Sequence, residues 1–173
     1  MPADSHQPGS NKPILVVCYS RTGFTLRVAQ AIAKELSADM AIVRDPRTRN
    51  GAWGYLRCAF EALSGRIPDI HVVTRNPAEY RLVVIGTPVW VSNPASPVQA
   101  FATQYGDRIK EVAFFCTMGG QGAEKTFRRL ESILGKKSIA SLVLTDREID
   151  AEGFGEKVRR FSKDLLAKLA HTG

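Results

Sequence analysis

Long apolar runs are missing from this chain. None approaches the ~20 residues a membrane-spanning helix needs, and the N-terminal stretch lacks the charged-then-apolar order of a secretory signal. A soluble protein is expected. Cysteine is scarce as well: Cys18, Cys58 and Cys116 are odd in number and two of them fall within apolar runs. A disulfide framework is therefore not expected, and a reducing cytoplasm is the expected location. Acidic residues are in deficit, 17 Asp and Glu against 24 Lys and Arg, for a formal net charge of +7. The basic residues are dispersed and no nucleic-acid-binding motif accompanies them, so they read as a solvated surface and no nucleic-acid partner is expected. There is no internal repeat. At 173 residues the chain has the size of one domain. Residues 1–12, polar and carrying Pro2, Pro8 and Gly9, read as a flexible tail before a single domain over 13–173.

The most informative stretch is Ile14 to Leu36. Ile14-Leu15-Val16-Val17 is a short β-branched run, suited to a strand buried on both faces of a parallel sheet. From Thr25 onward, Val28, Ala29, Ile32 and Leu36 recur at the spacing of one helix face. Between them lies Ser20-Arg21-Thr22-Gly23-Phe24-Thr25, a hydroxyl-rich loop at a helix N-terminus. Unpaired N–H groups and the positive end of the helix dipole suit a phosphate there. The plainer alternative is that Ser20, Thr22 and Thr25 only cap the helix.

Other phosphate chemistries lack their residues. A P-loop requires a lysine, and the loop has none. A phosphatase loop built on Cys18 would place arginine at position 24, where Phe24 stands. Cys18 reads as a buried apolar residue. A Mg²⁺-binding receiver site would want acidic residues after the first strand, and Tyr19-Ser20-Arg21 supplies none.

Further strands are predicted over Met40–Val43, Arg81–Gly86, Val112–Cys116 and Ala140–Leu144. Trp53, Leu56, Phe60 and Leu63 mark an amphipathic helix before the third strand, either core or a lid or dimer face. Thr87 to Pro97 reads as a proline-rich loop that displays Trp90, followed by a helix from Pro97 capped by Ser96. Thr117 to Gly122 reads as a glycine turn whose backbone can approach a ligand. Helices follow through Phe127–Leu134 and Phe154–Leu169. Alternating strands and helices imply a doubly wound α/β fold, a five-stranded parallel sheet of order 2-1-3-4-5 with helices on both faces. The loops after strands one, three and four then share one crevice, and their make-up suits a flat, phosphorylated, heteroaromatic ligand.

Tyr19-Ser20-Arg21-Thr22-Gly23-Phe24-Thr25, Ile85-Gly86-Thr87-Pro88-Val89-Trp90 and Thr117-Met118-Gly119-Gly120 together resemble the flavodoxin-like FMN-binding proteins, over Pro13 to about the C-terminus. The resemblance implies FMN as cofactor. It implies that Ser20, Arg21, Thr22, Gly23, Phe24 and Thr25 hold the phosphate, that Thr87, Pro88, Val89 and Trp90 flank the isoalloxazine, and that Thr117, Met118, Gly119 and Gly120 meet its pyrimidine edge. No side chain need act as a catalytic acid, and no metal is implied. Three departures stand out: Phe24 replaces a small polar residue, the third loop has no aromatic, and the chain is basic where the family's electron carriers are acidic. An oxidoreductase is expected, passing electrons from NAD(P)H through FMN to a quinone-like or other small acceptor. The alternatives are a one-electron carrier to a redox protein partner and a binding module of the same fold without FMN. Within the family a protoporphyrinogen-oxidising enzyme would also be small and basic. A homodimer is compatible with the sequence.

Overall fold

The computed structural model describes residues 12–44 and 75–171. The predicted Trp53–Leu63 helix and Cys58 lie outside them, as do residues 1–11. The first strand, β1 (Lys12–Cys18), starts at Lys12, one residue before the expected domain boundary. It leads into α1 (Phe24–Leu36) and β2 (Asp39–Ile42). A 3₁₀ turn over Pro77–Glu79, with the Asn76 side chain accepting from the Ala78 N–H, then delivers β3 (Tyr80–Trp90). There follow β4 (Asn93–Pro94), α2 (Ser96–Tyr105), β5 (Glu111–Met118), α3 (Ala123–Leu134), β6 (Ser141–Thr145), α4 (Asp146–Asp150) and α5 (Gly155–His171).

The five longer strands are parallel and lie in the order β2-β1-β3-β5-β6, with β4 paired antiparallel to β3. Setting the two-residue β4 aside, this is the expected 2-1-3-4-5 order. Alternation along the strands builds two cores, one on each face. Leu15, Val17, Val112 and Phe114 turn to the face covered by Val98, Phe101 and Ala102 of α2 and Leu130 and Leu134 of α3. Ile14, Val16, Ala113 and Phe115 turn to the other, under Val28 and Ile32 of α1 and Val158, Phe161 and Leu165 of α5. Each Val, Leu, Ile or Phe among them contributes roughly 1.5–3 kcal/mol by leaving water. Gly86 is required in the centre, because a Cβ there would lie 1.9 Å from the Phe115 ring.

Several local expectations are corrected. The segment Thr87 to Trp90 is strand, not loop. Tyr19 N–H donates to the Gly86 carbonyl, so by alternation Pro88 points the same way, past the end of β1, where no partner needs its missing N–H. The strand then doubles back through Val91 and Ser92, both at positive φ (50° and 59°), the signature of a tight hairpin turn. Ser96 does not cap α2. It is the first helical residue, its buried hydroxyl has no hydrogen-bond partner among the described residues, and Ala95 takes the cap position. In the glycine turn only Gly122 adopts positive φ (112°), as the N-cap of α3. It packs so closely on the hairpin that a Cβ would come within 2.7 Å of Ser92 Oγ. Helix α4 was not anticipated, although Thr145 and Glu148 form a capping box.

Candidate functional site

Where β1 and β3 part company, the carboxyl ends of the strands open into a cleft of about 420 Å³, within the range of small-molecule sites. Its wall comprises Arg21, Thr22, Phe24, Thr25, Pro88, Val89, Trp90, Thr117, Met118, Gly119 and Asp146. The three predicted loops therefore converge.

The first loop is shaped by its glycine. Gly23 sits at φ 98°, a left-handed conformation costly for any residue with a Cβ, and its N–H is held by Ser20 Oγ at 3.1 Å. Ser20 thus braces the loop from outside the cleft wall. Among the described residues no side chain caps the first turn of helix α1 and no acidic residue lies within it, so the simple capping reading of Ser20, Thr22 and Thr25 is not what the structure contains. The helix start is left available to an anion. Arg21 and Thr22 are exposed at its rim.

Thr25 and Thr117 meet under the cleft floor, their hydroxyls 2.8 Å apart, both residues 2% exposed. One O–H is used between them. The pair has two donors, so one O–H is not used between them. This contact ties the start of α1 to the end of β5.

The second loop divides its residues. Thr87 lies outside the wall: its hydroxyl accepts from the Ala95 N–H (2.9 Å) and donates to the Pro88 carbonyl (2.9 Å), closing the base of the hairpin. Pro88, Val89 and Trp90 line the cleft. Trp90 is not displayed as expected. It is 7% exposed, with its ring perpendicular to that of Tyr19 at 5.6 Å, so it serves as both wall and core. In the third loop Thr117, Met118 and Gly119 line the wall. Gly120 stands beyond it, and a Cβ there would meet nothing within 4 Å.

Asp146 is the wall residue that sequence reasoning missed. Register places it: Met118 pairs with Thr145, so the next residues, Gly119 and Asp146, emerge side by side. Burial first, and then the nearby Asp150 carboxylate, raise the Asp146 carboxyl above its ordinary range. The Thr-x-x-Glu spacing that starts α4 was the available signal, since it fixes where β6 ends. The thiols of Cys18 and Cys116 lie in the core and burial pushes both up to about 12, so neither is a nucleophile at neutral pH. Among the described residues no group of His, Cys, Asp and Glu could hold a metal ion, and no helix is long and apolar enough to cross a membrane.

Comparison with known proteins agrees with this fold. The family profile described as Flavodoxin matches residues 13–149. No curated protein matches the chain. Among solved structures, a flavoprotein from Lactobacillus acidophilus NCFM in complex with FMN is 24% identical, covering 81% of this chain and 97% of its own, with a TM-score of 0.68. A Bacteroides uniformis protein classed as a flavoprotein is 20% identical, covering 88% and 99%, with a TM-score of 0.73. The rubredoxin oxygen:oxidoreductase of Desulfovibrio gigas is 15% identical, with a TM-score of 0.53. The match covers 92% of this chain and 38% of that one. At these identities the structures speak for the fold.

Proposed function

The chain belongs to the flavodoxin family, and from that premise we propose that it is an FMN-dependent oxidoreductase passing reducing equivalents from NAD(P)H to a quinone-like or other small acceptor. FMN supplies the electron chemistry when bound, and this chain's residues bind and orient it. The donor set fits the cofactor. The uncapped start of α1 with Arg21 and Thr22 beside it suits a phosphate dianion, and the spare hydroxyl hydrogen of the Thr25–Thr117 pair suits a further polar contact. Pro88, Val89 and Trp90 offer an apolar wall to a flat ring.

The observation that carries the enzyme reading is the bare third loop. Gly119 puts no side chain over that side of the cleft, leaving room among the described residues for a second planar molecule at the near-contact distance, ~3.5 Å, that hydride transfer requires. A carrier needs only an exposed edge. Steady-state oxidation of NADH and NADPH with a quinone acceptor tests this. Turnover by the protein alone is expected, and Gly119→Phe, which fills the space without forcing a positive φ, should suppress it. No turnover with either nucleotide, together with rapid one-electron reduction by a reductase protein, would make the chain a basic carrier instead.

A further inference from the structure

We propose that Asp146 is a specificity-determining residue of the cleft, its carboxyl controlling how tightly the wall beside Gly119 holds the carbonyl-bearing edge of a flat heteroaromatic ring. The inference rests on the FMN reading above.

Backbone register brings Asp146 to the wall. Parallel pairing of Met118 with Thr145 sets Asp146 next to Gly119, and its Oδ2 lies 3.5 Å from where a Gly119 Cβ would stand. Because residue 119 has no side chain, nothing of its own stands between that carboxyl and the cleft. Arg21 and Asp146 are the two charged residues in the wall. The other charged groups around α4 are accounted for. From α1, Arg27 lies 3.9 Å from the Asp150 carboxylate and donates to the Ile149 carbonyl. From α5, Lys157 pairs with Glu148. On α4 itself, Arg147 is exposed and Asp150 is the like charge that acts on Asp146.

A flavin's pyrimidine edge carries one N–H donor flanked by carbonyl acceptors. A neutral carboxyl can meet both, accepting from the N–H and donating to a carbonyl, whereas a carboxylate only accepts from the N–H and sets its charge against the carbonyl oxygens beside it. Affinity should therefore fall as pH rises through the titration of Asp146. Partial burial, and then the Asp150 carboxylate, raise that titration from its ordinary position.

The test is the dissociation constant of FMN and of riboflavin, by quenching of flavin fluorescence between pH 4 and 8, for the wild type, Asp146→Asn and Asp150→Asn. Riboflavin removes the complication of the phosphate, which itself titrates near pH ~6. Should riboflavin bind too weakly to measure, the phosphate contribution cancels in the difference between the wild-type and Asp146→Asn profiles for FMN. Wild-type affinity should drop about tenfold across the range beyond any change in Asp146→Asn, equivalent to the ligand raising the carboxyl by about one pKa unit. Asp150→Asn, outside the cleft, should move the wild-type profile to lower pH by removing the like charge. Identical pH profiles for wild type and Asp146→Asn, with FMN bound in both, would overturn the proposal. Failure of the wild type to bind FMN at any pH would instead overturn the cofactor reading on which it rests.

Discussion

Replacing Trp90 alters two things at once, because the indole lines the cleft and also belongs to the core beneath it. Trp90→Ala would lower stability by about 3–5 kcal/mol through the cavity alone, which would blur any effect on binding. Trp90→Leu keeps apolar bulk and removes the aromatic face. It should weaken FMN by roughly 0.5–1.5 kcal/mol and leave more residual flavin fluorescence. A lowered melting temperature with unchanged FMN affinity would confine Trp90 to the core. The Thr25–Thr117 pair allows a cleaner dissection. Thr25→Val or Thr117→Val alone strands a buried hydroxyl at about 1–3 kcal/mol, while the double variant removes both partners and should cost less than the sum. Urea unfolding of all four proteins measures the coupling, and strict additivity would mean that the 2.8 Å contact is energetically idle.

The hairpin and the short helix α4 are where element-level reading was least complete. Three prolines in eleven residues suggested a loop. Yet β3 runs to Trp90, because proline is tolerated wherever a strand outlasts its neighbour. Gly122 locks that hairpin to α3, so Gly122→Ala must both adopt φ near 112° and displace Ser92. It should destabilise by more than about 1 kcal/mol, measurable by denaturant unfolding. Helix α4 depends on Glu148, which accepts from the Thr145 N–H (2.8 Å) and hydroxyl (2.9 Å) and pairs with Lys157. Lys157 first, then the Thr145 donors, hold the Glu148 carboxyl at about 2, against 4.5 in the unfolded chain. Because the folded value is the lower one, this stabilisation is fully present above pH 4.5 and is lost as pH falls toward 2. Glu148→Ala should thus cost about 1 kcal/mol at pH 7, mostly through the cap since the ion pair is exposed, and the difference from wild type should vanish near pH 2. A difference independent of pH would remove the carboxylate from the account.

At the scale of the molecule, the sheet order and the convergence of the three loops were legible because they follow from period and polarity. Short β-branched apolar runs such as Ile14–Val17 suit doubly buried strands, and short αβ connections leave few topologies. What was not legible depends on contacts between distant residues. The inward packing of Trp90 requires Tyr19, the engagement of Thr25 requires Thr117, and the position of Asp146 follows from the β5–β6 register. None of these is a local property of sequence. The net charge of +7 acts over the whole surface and should favour NADPH over NADH in turnover. That preference should shrink as salt rises, and a salt-independent preference would point to a dedicated pocket instead. The central claim is that the Ser20–Thr25 turn and the start of α1 receive a phosphate, and the affinity of FMN against that of riboflavin, with Thr22→Ala alongside, tests it most directly. Two hydrogen bonds to a charged group, each worth about 1.5–3 kcal/mol, predict that FMN binds about a hundredfold or more tighter than riboflavin and that Thr22→Ala weakens FMN alone. Equal affinity for the two flavins would contradict the account.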